Sequence, residues 1–136
     1  MIPRGYRNNN PLNIRHSADN FQGELRGDDK SFKTFASMAY GYRAAFVTLA
    51  TYHSRGWDTI EKIVSHWAPP VENDTERYIA SVVKRSGIPR GSKLTLSDGE
   101  DYILIVTAMS AVENGRKAVM SEVEEGFQLQ HKIRMQ

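Results

Sequence analysis

The residue whose type and position best suit chemistry is Glu113, which ends a long apolar run beginning at Tyr102 and directly precedes an Asn-Gly pair. Such a run predicts a helix, and an acid in its last turn is unfavourable because that end carries partial negative charge. Helical spacing places Glu113 on the face of Val106 and Met109, which we expect to be buried. A carboxyl group against apolar surface has a raised pKa, as a general acid requires. The alternative is an exposed glutamate at a frayed helix end.

Three other groups of residues carry polar side chains in suggestive positions. Asn10 and Asn13 lie in the turn-rich segment 8–15, where clustered amides can line a sugar-binding cleft, although turns also favour Asn for its backbone alone. The acids Glu24, Asp28 and Asp29 follow, and they are equally explained as solvated loop charges. Tyr78 is predicted near the start of a helix, from which its hydroxyl can reach a site.

Residue periodicity predicts the elements that would position these side chains. Residues 12–35 alternate short apolar segments with turns, which indicates a small antiparallel sheet with irregular loops. Apolar stripes at helical spacing then predict helices separated by Gly and Pro. These helices are predicted to begin at the caps Ser37, Asp58, Asn73, Ser97 and Ser121 and to end near Gly56, Ala68, Gly87, Glu113 and Phe127. We therefore predict one mostly helical α+β domain over residues 1–136.

Composition argues against several kinds of site and partner. There is no cysteine, and the four histidines have no metal-ligand spacing, so we expect neither a metal nor a cofactor. A net charge of +2 is too small to indicate nucleic-acid binding. No apolar run is long enough to cross a bilayer, and residues 1–5 lack the apolar region of a signal peptide. We therefore expect that the protein does not insert into a membrane. We also expect that it is delivered by a route other than its own signal peptide.

Two sets of residues resemble known families. Residues 9–15, 21–23 and 32–35 are similar to the hairpin region of lysozyme-like glucosaminidases and lytic transglycosylases. Residues 67–79, which read WAPPVENDTERYI, resemble a group of small phage and prophage virion-associated proteins that are regarded as lysozyme-like. The resemblance runs from Arg4 to Gly126 and implies a lysozyme-like helical domain.

The chain departs from that family in the position of its acid. In ordinary lysozyme-like enzymes the catalytic glutamate ends a helix that precedes the hairpin, whereas here no acid precedes Asn8. The segment from Ala111 to Gly115 is similar to that missing helix end, displaced to the back of the chain. A circular permutation would restore the arrangement, because the termini of a domain often lie close together.

The resemblance implies a peptidoglycan-degrading glycosidase, either a muramidase or a lytic transglycosylase. Glu113 would be the general acid and Glu24 the first candidate for a second carboxylate; without a second acid, the C6-hydroxyl of muramic acid would attack internally. The expected sugar-binding residues are Asn10, Asn13 and Gln22, with Tyr78 orienting Glu113 or the substrate. The expected partners are peptidoglycan and other phage particle proteins. The protein would reside in the particle or the host cytoplasm before acting on the periplasmic cell wall.

Two alternatives stay open at this stage. One is a non-catalytic phage structural or wall-binding module that keeps a lysozyme-like fold. The other is a helical DNA-binding domain, for which the basic residues Arg77, Lys84 and Arg85 are too few.

Overall fold

Helices make up most of the structure, and a small sheet lies near the N-terminus. The computed structural model describes residues 1–96 and 99–134, the last four by their backbone alone. The prediction of a mostly helical α+β chain with one small antiparallel sheet is confirmed for this part. In chain order the elements are α1 (Arg4–Arg7), β1 (Glu24–Leu25), β2 (Thr34–Phe35), α2 (Met38–Ser54), α3 (Ile60–Trp67), α4 (Thr75–Ser86), α5 (Glu100–Asn114) and α6 (Met120–Arg134).

The sheet is shorter than its predicted range. β1 pairs antiparallel with β2, with Glu24 opposite Phe35. Segment 12–15 adds only an isolated bridge at Arg15. The Asn10 side chain accepts from the backbone N–H of Ile14 at 2.9 Å and donates to its carbonyl at 3.0 Å. The Ile14 N–H is therefore taken by a side chain, whereas the Ile14 carbonyl still accepts from the backbone N–H of Lys33 at 2.9 Å.

The caps of α2 and α3 show how local chemistry sets the helix starts. The Ser37 side chain accepts from the N–H of Tyr40, so the predicted cap of α2 is confirmed. The predicted cap Asp58 of α3 is wrong, because the next residue, Thr59, has the extended backbone and accepts from Lys62. The Asp58 carbonyl instead accepts from the N–H of Leu94, which ties the start of α3 to the chain before α5.

The start of α4 is also displaced by one residue. Asp74 caps it by accepting from the N–H of Arg77, whereas the predicted cap Asn73 donates its amide to the Pro69 carbonyl. The predicted end is confirmed at Gly87, whose φ of 75° completes the last turn. The predicted cap Ser97 of α5 lies outside the described residues.

The last helix, α6, is longer than predicted, since it begins at Met120 and continues past Phe127 to Arg134. Gly126 allows α6 to pack closely along α2, because a Cβ at this position would lie 2.5 Å from Cβ of Tyr42. The side chain of Gln130 is buried, which explains why the helix does not end at Phe127. Tyr42 in turn shares a 2.7 Å hydrogen bond with Ser110 and so joins α2 to α5.

Candidate functional site

Glu113 lies in the last turn of α5 and is held by two distant parts of the chain. The Asn13 amide donates to its Oε1 at 2.8 Å. The Tyr78 hydroxyl donates to its Oε2 at 2.9 Å. The carboxyl group is partly buried, rather than exposed at a frayed end. The predicted proximity of Glu113 to segment 8–15 and to Tyr78 is therefore found in the structure.

The surroundings of Glu113 change its acidity in two opposing ways. Burial raises the pKa of its carboxyl group, because the charged form loses hydration. The hydrogen bonds from Asn13 and Tyr78 and the positive charge of Arg15 lower it. Burial is the largest effect, so the pKa lies above its ordinary value. This is the direction that the sequence predicts.

Glu113 lines an open cleft of about 370 Å³. The floor and walls combine aromatic, amide and charged side chains, which suits a polar, extended ligand. The connection between α3 and α4 forms one wall and segment 13–15 contributes to the other. The lining residues are Asn13, Arg15, Phe32, His66, Trp67, Ala68, Pro69, Val71, Glu72, Asn73 and Glu113.

The Asn13 side chain is positioned by an unusual backbone. Its φ is 52°, in the left-handed region that non-glycine residues adopt rarely and Asn adopts more readily than most. The N–H of Asn13 donates to the Asn10 carbonyl at 3.0 Å, which closes the turn. This turn directs the Asn13 amide toward Glu113. The sequence signal for it was the density of Asn in segment 8–15.

The next residue, Asn114, fixes the end of α5 against that turn. Its side-chain amide donates to the Pro11 carbonyl at 2.8 Å and to the Ser110 carbonyl at 2.9 Å. Gly5 of α1 packs against the same side chain, since a Cβ there would lie 2.5 Å from Oδ1 of Asn114. The distance between Asn13 and Glu113 is thus set by buried contacts on both sides.

Asn10 and Gln22 do not contribute to the Glu113 cleft. Asn10 is fully buried, and its amide donates to the carbonyls of Ile14 and Lys33. This side chain is committed to the backbone, and the structure does not bring it to the cleft surface where a sugar-binding role was predicted. Gln22 is exposed and lines a separate depression beside α2.

The acids of the sheet region are likewise separated from Glu113. Glu24 forms an ion pair with the buried Lys33 at 3.0 Å and lines a different depression. Glu24 was predicted as a second carboxylate near Glu113, but the structure does not place it in that cleft. Its negative charge instead neutralises the buried ammonium group of Lys33. Asp29 binds Arg4 at 2.6 Å, and this contact holds its pKa far below the ordinary value.

Sequence reasoning assigned no role to two charged residues of the cleft. Glu72, before α4, and Arg15, after the Asn-rich turn, form an ion pair at 2.9 Å. Among the described residues that line the cleft, Glu72 is the other carboxylate beside Glu113. The two partners are separated by 57 positions. Neither periodicity nor a local motif indicates such a pair.

The side of the cleft formed by α3 carries two aromatic rings, His66 and Trp67. The Trp67 indole donates to the Leu12 carbonyl at 3.1 Å, which joins α3 to the Asn-rich turn. His66 stacks on Trp57 with 3.6 Å between ring centroids and an interplanar angle of 11°. Trp67 therefore lines the cleft while it packs against the hydrophobic core.

Neither a metal-binding cluster nor a membrane-spanning helix is present in the part of the chain that the structure describes. In residues 1–96 and 99–134, no three His, Cys, Asp or Glu side chains are placed to hold a metal ion. Over the same ranges, every helix falls short of the length and apolar character that crossing a bilayer requires.

Comparison with known proteins relates the chain to a phage protein. Protein P5 of Pseudoalteromonas phage PM2 is 46% identical over 96 residues, a match that covers 67% of this chain. The chain spans 60% of the length of that protein. No protein-family model matches the chain. The phage association expected from residues 67–79 thus has independent support.

Proposed function

We propose that the protein is a lysozyme-like glycosidase that cleaves the glycan strands of bacterial peptidoglycan with Glu113 as general acid. The observation that carries this proposal is the partly buried Glu113, with a raised pKa and two side-chain donors, at the wall of an open polar cleft. A protonated carboxyl group there can donate to a glycosidic oxygen.

The two donors suit the second half of such a reaction. When Glu113 loses its proton to the leaving oxygen, the amide of Asn13 and the hydroxyl of Tyr78 stabilise the new carboxylate. In the ground state the same donors fix the direction of the carboxyl group. The position of the Asn-rich turn beside the end of α5 also fits the circular permutation expected from the family resemblance.

The attacking group distinguishes two versions of the proposal. In a muramidase, Glu72 is the candidate base that would remove a proton from water, because it lines the same cleft as Glu113. In a lytic transglycosylase, the C6-hydroxyl of muramic acid attacks and one carboxylate suffices. The muramidase product carries a reducing end, whereas the lytic transglycosylase product carries an anhydro end.

A non-catalytic role in a phage particle is the second candidate, and the similarity to a phage protein supports the phage association that it shares with the first. Such a module would bind the cell wall through the same cleft without cutting it. In either case we propose that the protein meets peptidoglycan as part of a particle or after release from the host.

Mass analysis of the products from purified peptidoglycan tests these proposals. We expect wild-type protein to release glycan fragments and Glu113→Gln to lose about 10²- to 10⁴-fold in rate while still sedimenting with the wall. Glu125→Gln, an exposed position on α6, is the matched control. Near-normal turnover in Glu113→Gln would reject the acid assignment. Binding without any product from wild type would support the non-catalytic module.

A further inference from the structure

A second depression of about 540 Å³ lies along α2, away from the Glu113 cleft. One wall is a face of α2 that carries Arg43, Val47 and Thr51 at helical spacing and continues to Arg55 just after the helix. Loop 19–22 forms the other wall. The lining residues are Asp19, Asn20, Phe21, Gln22, Arg43, Val47, Thr48, Thr51, Tyr52 and Arg55.

Arg43 is the anomalous residue of this depression. It is only 9% exposed, yet no side chain that the structure describes pairs with its guanidinium group, and its Nε is buried without a hydrogen-bond partner. Burial also lowers its pKa. The buried Lys33, by contrast, contacts Glu24 and a backbone carbonyl. The terminal nitrogens of Arg43 are not among the enclosed atoms, so the charge can meet a ligand in the depression, and an anion there would offset the cost of partial desolvation.

The residues around Arg43 indicate what kind of ligand would supply it. Asn20 and Gln22 are exposed and offer amide donors, while Phe21 and Tyr52 provide ring surface. Arg55 adds a second positive charge near one end. Asp19 is the one carboxylate among these described lining residues, and it is exposed without an ion pair to Arg43.

We propose that this depression binds an oxyanion carried on a sugar, with the Arg43 guanidinium receiving the anion and the loop 19–22 amides receiving the sugar. A guanidinium group forms paired hydrogen bonds with carboxylate or phosphate, so both anions share the required chemistry. The site is separate from Glu113 and stands whether or not the protein cleaves glycans.

Three soluble sugars test the site on the whole chain. N-acetylmuramic acid carries a carboxylate, N-acetylglucosamine 6-phosphate carries a phosphate, and N-acetylglucosamine is neutral. We expect at least one acidic sugar to bind about tenfold or more tightly than the neutral one, as measured by calorimetry, and to raise the melting temperature of wild-type protein. The acidic sugar that binds identifies the source of the anion.

Arg43→Met removes the charge while keeping most of the side-chain volume. We expect it to melt at or above the wild-type temperature without ligand, because it removes an unpaired buried charge, and to lose the shift caused by the acidic sugar. Arg43→Lys keeps the charge without the planar fork and should retain only part of the binding. Arg26→Gln, an exposed position outside the depression, is the control and should behave as wild type.

Three results would overturn the proposal. The first is that all three sugars bind equally well, or that none of them binds. The second is an acidic-sugar shift that Arg43→Met retains, which would mean that the anion binds elsewhere. The third is marked destabilisation of Arg43→Met without ligand, because the guanidinium group would then already have favourable partners. None of these outcomes depends on glycan cleavage, so a failure of the Glu113 proposal is recognised separately.

Discussion

The hydroxyl of Tyr78 donates to Oε2 of Glu113 at 2.9 Å and so joins α4 to the end of α5. Tyr78 is only 8% exposed, and its pKa lies well above the ordinary value. Burial is the larger cause, and the negative charge of Glu113 is the smaller one. The hydroxyl therefore keeps its proton and stays a donor at neutral pH. The carboxyl group of Glu113 is oriented by this contact as well as by Asn13.

Removing that hydroxyl should shift the pH dependence of activity. In Tyr78→Phe, Glu113 loses a hydrogen bond that lowers its pKa, so the pKa rises further. A general acid is active while protonated, and the alkaline limb of the pH–rate profile should move to higher pH. We expect a loss of about tenfold in maximal rate, because the product carboxylate is less stabilised. An alkaline limb displaced to lower pH would contradict this role of Tyr78.

Arg15 should have a similar electrostatic effect without touching Glu113. Its positive charge lowers the pKa of Glu113, so Arg15→Gln should also move the alkaline limb to higher pH. Because Arg15 is exposed, the displacement should be larger at low ionic strength than at high ionic strength. Arg26→Gln serves as the charge-matched control. Equal displacement in both variants would indicate a general effect of net charge.

Glu113 should destabilise the folded protein at neutral pH. Because its pKa is raised, the folded state holds the proton more tightly than the unfolded chain, whose carboxyl group has the ordinary value of 4.5. The stabilisation that comes from this tighter proton binding by Glu113 is fully present below the unfolded pKa. It is lost as pH rises through the pKa of Glu113 in the folded state. Glu113→Gln should therefore melt above wild type at pH 8, with a smaller difference at pH 4. A difference that grows toward low pH would contradict the raised pKa.

Glu24 should matter for stability rather than for chemistry. Glu24→Gln leaves the ammonium group of Lys33 buried with weaker partners, which should cost about 1–3 kcal/mol in the free energy of unfolding. Activity per folded molecule should be unchanged, because Glu24 does not line the Glu113 cleft. Asp28→Asn, an exposed neighbour, is the control. A large loss of turnover in folded Glu24→Gln would return this residue to the catalytic assignment.

Asn114 should couple stability to the geometry of the cleft. Asn114→Ala removes buried hydrogen bonds to the carbonyls of Pro11 and Ser110, with an expected cost of about 1–3 kcal/mol. The end of α5 is then free to move relative to Asn13, and a misplaced acid should lower the rate by about 10²-fold. Denaturant unfolding and turnover of the folded fraction measure the two effects. Gln128→Ala, exposed on α6, is the control.

The sequence by itself determined the helical content and the candidate acid. Apolar residues at helical spacing depend on neighbours within one or two turns, so α3 and α4 were predicted nearly to their ends. The burial of Glu113 followed from the same local reasoning, since its position on the apolar face of α5 is a property of the helix. Cap positions were less certain, because adjacent polar residues such as Asp58 and Thr59 compete for the same role.

Tertiary structure decided which side chains share a site. The sequence could not show that Glu72 pairs with Arg15, that Glu24 is committed to Lys33, or that Asn10 is buried by its own turn. Each of these outcomes depends on contacts between segments that are distant in sequence or on the burial that such contacts cause. A free carboxylate and a carboxylate that neutralises a buried cation have the same sequence signature, and only packing distinguishes them.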